Sequence, residues 1–354
     1  MSIERDHCSI LSGVRHGRTL GSPICIVVEN TDFANWSTAM SPAPLSDGAR
    51  SSADLREVKV PRPGHADLGG VAKYDFDEAR NVLERASARE TVGRVAGGAV
   101  CRRLLEEAGV SVHGRVVSIG AVESRDSSDP TDASSVDWQA VEESTVGCDD
   151  PGASEAMRRA IDDAKAAGES LGGVFEVWAW GMCPGVGGYD RFDSRLDGRI
   201  LGAVGSIPAI KGVEIGHAFA GTRRPGSQVH DEIMVASGDE GRWITRATNY
   251  AGGLEGGMTN GMPIIVRASM KPIPTLTTPL HSVLLPELDP TSAHVERSDV
   301  CAVPAARVVG EAMVALVLCS FYLEKFGGDS LADFLASLRA YEARLESRGL
   351  WHRS

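Results

Sequence analysis

The sequence predicts a mixed α and β fold in a single domain, and three observations carry that prediction. Glycine is abundant, at 40 of 354 residues. That exceeds the usual level of roughly 7%, so many positions need a positive φ or a close backbone approach, which helical bundles rarely require. Short β-branched runs such as Ile24-Cys25-Ile26-Val27-Val28 alternate with long helical stretches, two of them in the last third of the chain. No internal repeat and no shift in composition marks a boundary.

In chain order, residues 9–30 read as strand, turn and strand, punctuated by Gly13, Gly17 and Gly21. Residues 41–65 hold Pro42, Pro44, Pro61 and Pro63 and read as a long loop. A helix is expected from about Phe76 to Glu107, capped by Asp75 or Asp77 and closed by Gly109. Residues 111–123 alternate as a strand, and 124–151, rich in Ser, Asp and Pro, read as a solvated connection. A helix over 153–167 ends at Gly168, a strand covers Gly173 to Trp180, and Gly181 to Gly188 is a turn-rich loop. A strand is expected at 200–207, then a stretch from Gly221 to Gly261 dense in Gly, Asn, Arg and Asp whose part from Arg246 reads as loop, and a strand from Pro263 to Arg267. Pro304 suits the first turn of a helix that ends at Gly327-Gly328. Asp329 is the expected cap of a last helix running to about Ser347.

Composition excludes several functions. Lys plus Arg is 36 and Asp plus Glu is 48, a net charge of −12, which argues against nucleic-acid or anionic-membrane partners. The seven cysteines include no C-x-x-C pair and the nine histidines no H-E-x-x-H, so no metal is expected and the thiols read as free in a reducing compartment. The N-terminus is acidic within six residues and lacks the apolar run of a signal peptide, and the apolar stretch 308–321 is too short to span a bilayer. A cytoplasmic protein is expected.

Three clusters carry candidate chemistry. The first is Arg62-Pro63-Gly64-His65-Ala66-Asp67, in which a His between constrained residues has Arg and Asp nearby. In the second, Glu84 to Thr91, Arg85 and Arg89 would share one helix face at i, i+4. The third, Arg246 to Gly261, is a glycine-dense stretch whose N–H groups could cradle an anion, though it matches no phosphate-loop pattern. Each alone also reads as ordinary surface. Together they describe a site for a small polyanion, since the Arg fork meets carboxylate and phosphate bidentately. The residues by themselves imply a phosphate- and carboxylate-binding enzyme and leave its chemistry open.

At these clusters the sequence resembles the chorismate synthase family. The matching stretches are SGVRHGRTLGSPI (12–24), RPGHADLGGVAKY (62–74), ERASARETVGRVAGGAV (84–100), AIKGVEIG (209–216), HDE (230–232), NYAGGLEGGMTNGMPI (249–264), MKPIPT (270–275) and RSDVCAVPAARVVGEAMVALVL (297–318). They follow the family's order over nearly the whole chain. The resemblance implies an α+β fold, a single β-α-β sandwich-like domain with long core helices, assembled as a homotetramer. It implies a lyase of the shikimate pathway that converts 5-enolpyruvylshikimate 3-phosphate to chorismate and phosphate by 1,4-anti elimination with reduced FMN (FMNH2). Whether NADPH or an external reductase reduces that flavin stays open.

Roles follow position by position. His65 matches the family His at the flavin N1–O2 edge, and Asp299 the Asp that helps flavin N5 act as a base. Arg85, Ala86 and Ser87 match one FMN-binding segment. Pro208 and Ala209 match another, with proline where the family often has a polar residue. Gly256, the run Lys271, Pro272, Ile273, Pro274 and Thr275, and Arg297 match the remaining FMN contacts. The family's N-terminal G-x-S-H-G strand and its Arg-rich segment have no counterpart in these 354 residues; His16 belongs to the later SGVRHGR motif. Met1-Ser2-Ile3-Glu4-Arg5-Asp6 matches an internal family pattern. The native protein is therefore expected to be longer and active, and the 354 residues alone poorly stable and nearly inactive. Intact mass of the protein from its own source checks this. The alternative is a catalytically impaired relative that keeps flavin or substrate binding.

Overall fold

The computed structural model describes residues 7–44, 55–86, 89–125, 128–238, 241–296 and 298–353. The expectation for Met1 to Asp6 lies outside them. The chain divides into two compact units, Met1–Val92 with Pro279–Val295, and Gly93–Thr278 with Glu296–Ser354.

The smaller unit opens with the expected strand, turn and strand. Cys8–Ser12 pairs antiparallel with Cys25–Val28 around the tiny hairpin Val14–Arg15 and Arg18–Thr19. Two short helices follow, α1 (Asp67–Tyr74) and α2 (Arg80–Arg85). The single helix expected from Phe76 to Glu107 is thus broken. Asp75 ends α1 in the left-handed conformation, φ 55, with its N–H on the Val71 carbonyl. Glu78 then fixes the turn by accepting the backbone N–H groups of Val58, at 2.8 Å, and Arg80, at 2.7 Å. Side-chain acceptance of backbone donors competes with helix continuation. Val58, Ala79 and Leu83, with Val71 against them, form a small apolar core. The hairpin His281–Leu284 with Asp289–Ser292 closes on this region, Leu285 donating its N–H to Lys59 O at 3.0 Å.

The larger unit is a five-stranded antiparallel sheet with its long helices on one face and a short helix against the other. Helix α3 (Glu90–Glu107) ends as expected, with Gly109 at φ 76 and the Val110 N–H reaching back to Leu105 O at 2.9 Å. Strands β1 (Ser111–Ile119) and β2 (Val122–Glu123) follow. A short helix, Trp138–Glu143, stands inside the connection 124–151, capped by Asp137. Helix α4 (Pro151–Ala167) carries proline in its first turn, Asp150 as cap and Gly168 as the left-handed end. Then come β3 (Gly173–Trp180), helix α5 (Leu196–Gly205), β4 (Ile210–Ile215), β5 (Ile264–Met270), α6 (Val303–Phe326) and α7 (Leu331–Ser347). The sheet order is β2-β1-β3-β5-β4.

Alternation decides what each sheet face meets. Val112, Val116, Phe175, Val177, Val266 and Ala268 belong to the main core, together with much of α6. Small residues let the layers approach. A Cβ on Gly310 would fall 2.5 Å from the Phe175 ring, and one on Gly98 of α3 would fall 2.4 Å from Ala312 of α6. Helix α6 is long and apolar enough to cross a membrane, yet 72% of its apolar window is buried inside the fold, so it is a core helix.

Three expectations need correction. Residues 200–207 are not a strand. Leu196, Ile200 and Val204 are all fully buried at i, i+4 and i+8, the spacing of α5, and a short apolar run does not distinguish the two forms. The cap of α7 is Ser330, whose Oγ accepts the Asp333 N–H at 3.1 Å, rather than Asp329. The Gly-rich part read as loop, Arg246 to Gly261, is not wholly loop, and the stretch from Gly221 that leads to it is paired as well. Together they hold the hairpin Ile233–Gly238 with Gly241–Arg246 and the tight hairpin Leu254–Glu255 with Met258–Thr259.

Candidate functional site

In the smaller unit, His65 sits in a network that its own sequence neighbours build. Asp67 opens α1 and is fully buried, and Arg62 is 7% exposed. The Asp67 carboxylate accepts the Arg62 backbone N–H at 3.0 Å, its Nε at 2.9 Å and its Nη2 at 3.1 Å. Asp67 Oδ1 also meets His65 Nδ1. Burial by itself would raise the Asp67 carboxyl. The hydrogen bonds from His65 and Arg62 outweigh burial and hold it well below the usual carboxylate range. An ionised Asp67 can only accept, so Nδ1 carries the proton, and Nε2 faces Arg62 Nη2 at 3.3 Å.

Arg85 is the last residue of α2 and is exposed, and Ala86 caps it with its N–H on Val82 O at 2.9 Å. The expected Arg85–Arg89 helix face does not form, because the helix closes at Ala86 and α3 starts only at Glu90, whose acid favours that N-terminus. Ser87 and Arg297 lie outside the described residues.

In the larger unit, the backbone gathers residues that are far apart in sequence. Pro208 and Ala209 link α5 to β4. Ala209 is held left-handed at φ 69, and its carbonyl accepts the Lys271 N–H at 3.0 Å. Non-glycine residues in that region carry strain and cluster at functional sites. The segment Lys271 to Thr275 leaves the end of β5 and is seated on Gly168 to Gly173. Ser170 Oγ donates to Ile273 O at 2.6 Å, and a Cβ on Gly172 would fall 2.3 Å from Met270 O. Leu171 also donates its N–H to Val300 O at 2.9 Å, and Ser298 Oγ reaches Thr275 O at 3.5 Å. Ala209, Lys271 to Thr275 and the exposed Asp299 therefore stand together on one backbone frame. Burial first, and then Lys211 nearby, push the Lys271 amine below its ordinary value. A pair of lysines that penalise each other suits an anion such as a phosphate.

Gly256 stands elsewhere. It turns the tight hairpin with Gly257, at φ 59 and 85, and a Cβ there would meet open space. The neighbouring Gly257 carbonyl accepts the Leu196 N–H at the start of α5, while Ala209 follows the end of that helix. The helix between them is about 15 Å long. The residues do not show Gly256 in contact with Lys271 to Thr275. Sequence reasoning misses the seat at 168–173, although its Gly172-Gly173 doublet signals a close backbone approach. Among the described residues no group of His, Cys, Asp and Glu could hold a metal ion.

The family model "Chorismate synthase" matches residues 1–323. The chorismate synthase of Desulforudis audaxviator is 53% identical over 347 residues, covering 98% of this chain and 86% of that protein. That of Bacillus subtilis is 52% identical over 333 residues, covering 94% and 83%. A crystal structure of chorismate synthase matches with a TM-score of 0.77 at 42% identity, over 97% of this chain and 85% of that one.

Proposed function

The chain belongs to the chorismate synthase family, and on that premise we propose how its own residues divide the work. The activity is phosphate elimination from 5-enolpyruvylshikimate 3-phosphate to give chorismate, a flavin-dependent lyase step of aromatic amino acid biosynthesis. Our reading is that the flavin is FMN, used reduced. The observation that carries it is the frame of Ala209 and Lys271 to Thr275, with Lys271 and Lys211 close enough to suit a phosphate. Pro208, Gly256, Arg297, Arg85, Ala86 and Ser87 are proposed as further flavin contacts. Proline at 208 offers no N–H and no polar side chain, so the donors there come from its neighbours.

A bound reduced flavin supplies transient electron density that helps expel phosphate. The chain's residues hold and move protons around that event. Asp67 and Arg62 fix the His65 ring, and His65 is the group that gives a proton to the ligand or takes one from it. Asp299 presents an exposed carboxylate on backbone tied through Leu171 and Thr275, where its oxygens accept and pass on a proton. The assembly we propose is a cytoplasmic homotetramer, checked by sedimentation. Flavin fluorescence tests the cofactor. We expect FMN to bind, and reduced FMN to bind more tightly with the phosphate substrate present. Absence of binding in both redox states overturns the flavin assignment.

A further inference from the structure

The second face of the sheet carries a cavity that the lyase reading does not use. One transverse row of residues is charged. Arg115 on β1 faces Glu176 on β3, Glu176 faces Arg267 on β5, and Arg267 faces Glu214 on β4. In the next row Trp178 of β3 stands between His113 of β1 and Ile265 of β5, and Trp178 and Ile265 pack against Ala133, Val136 and Val141. The cavity above these rows has a volume of about 280 Å³ and is walled by Tyr250 and Arg224.

Glu176 is saturated. Its Oε2 accepts Arg115 Nε at 3.0 Å and Trp178 Nε1 at 3.1 Å, and its Oε1 accepts Arg267 Nε at 2.9 Å. Arg115 is 1% exposed and is also tied to Asp149 at 3.1 Å. Its role is structural. The Arg267 side chain is 31% exposed, and Glu176 orients it toward the cavity. Arg224 is exposed, lies 5.8 Å from the Tyr250 ring centroid, and makes no side-chain hydrogen bond or ion pair among the described residues. Buried ion pairs return little stability compared with apolar side chains of the same size. A saturated carboxylate that aims an arginine at a cavity is instead the arrangement expected of a pre-set binding group.

We propose that this cavity binds a small aromatic carboxylate. The ring would lie against Tyr250 and Pro130, over the exposed edge of Ile265, and the carboxylate would meet the Arg267 and Arg224 guanidinium groups. A volume of about 280 Å³ suits a single substituted ring. The apolar floor distinguishes such a ligand from bare phosphate, and the planar forks distinguish it from a neutral ring. The site is separate from the Lys271 frame, since Ile265 precedes Lys271 by six residues along an extended strand, or about 20 Å.

Benzoate is the probe, titrated calorimetrically into the native protein with FMN present at saturation. We expect one saturable benzoate site, no comparable binding of benzyl alcohol or inorganic phosphate, and roughly 10-fold or greater weakening in Arg224→Gln, as loss of a charge-assisted contact implies. Arg224 is exposed, so that variant keeps the fold. Tyr250→Leu should weaken benzoate binding as well. The proposal is overturned by absence of saturable benzoate binding, by equal affinity for phosphate, by equal affinity in both variants, or by competition between benzoate and FMN.

Discussion

His65 and Asp299, the two residues given proton-handling roles, are held in opposite ways. His65 is fixed by side-chain charge from residues within five positions of it, on a buried carboxylate. Asp299 is exposed and depends on bonds to main-chain carbonyls, Leu171 N–H to Val300 and Ser298 Oγ to Thr275, that join segments distant in sequence. A network of charges fixes one ring nitrogen and fails when a single charge is removed. A backbone frame tolerates side-chain changes and fails when a Cβ intrudes.

The largest expected effects lie at the two residues themselves. His65→Ala and Asp299→Ala should each lower turnover by about 10²–10⁴-fold with circular dichroism unchanged, the range of general acid–base groups. Wild-type rates at either position would remove that residue from the account. Next is Asp67→Asn, which leaves Arg62 buried without its anion. Breaking a buried pair costs about 3–5 kcal/mol, readable as a lower denaturant midpoint. Because the folded Asp67 carboxyl lies below its unfolded value of 3.8, its stabilisation is present above that pH and is lost as pH falls toward the folded value. The variant should therefore lose stability at neutral pH and show a shallower acid limb. An unchanged midpoint would mean that charge does not hold His65.

Gly172→Ala tests the backbone frame. Its Cβ would stand 2.3 Å from Met270 O, so the Lys271 segment must move. Overpacking of this kind costs about 1–3 kcal/mol, and FMN affinity should fall while the Arg62–His65–Asp67 network is unaffected. The smallest effect concerns pH. Lys271 is pushed below its ordinary value of 10.5 by burial and Lys211, so it loses its charge earlier on alkalinisation than a free lysine. FMN affinity should fall as pH rises through that lowered value, and Lys271→Met should remove the slope. A slope that survives in the variant would place the phosphate elsewhere.

The same contrast explains what is legible in the sequence. The Arg62–His65–Asp67 grouping is visible because its members are neighbours, and the helix ends at Gly109 and Gly168 are visible because left-handed caps have a residue signature. The strand Gly173–Trp180 is likewise legible from its apolar, aromatic run. The clamp of Ala209 on Lys271 leaves no trace in local spacing, because a main-chain bond does not select side chains, and the seat of Ser170 under Ile273 leaves none because its partner lies 103 residues away. Those positions reach the candidate site only through family motifs. Helix α5 is mistaken for a strand because Ile200 to Ile207 is apolar in both periods. The hairpin Ile233–Arg246 is not read as paired strands because the stretch around it is dense in Gly and polar residues. The row Arg115–Glu176–Arg267 is hidden because cross-strand register cannot be read from one strand.

Anaerobic turnover tests the central claim most directly. The native protein, mixed with 5-enolpyruvylshikimate 3-phosphate and chemically reduced FMN, is assayed for chorismate and phosphate together. The account predicts that both appear in equal amounts, that neither appears with oxidised FMN or without flavin, and that His65→Ala is slowed. Tight binding of reduced FMN with no chorismate formed, or equal turnover without reduced flavin, would contradict it.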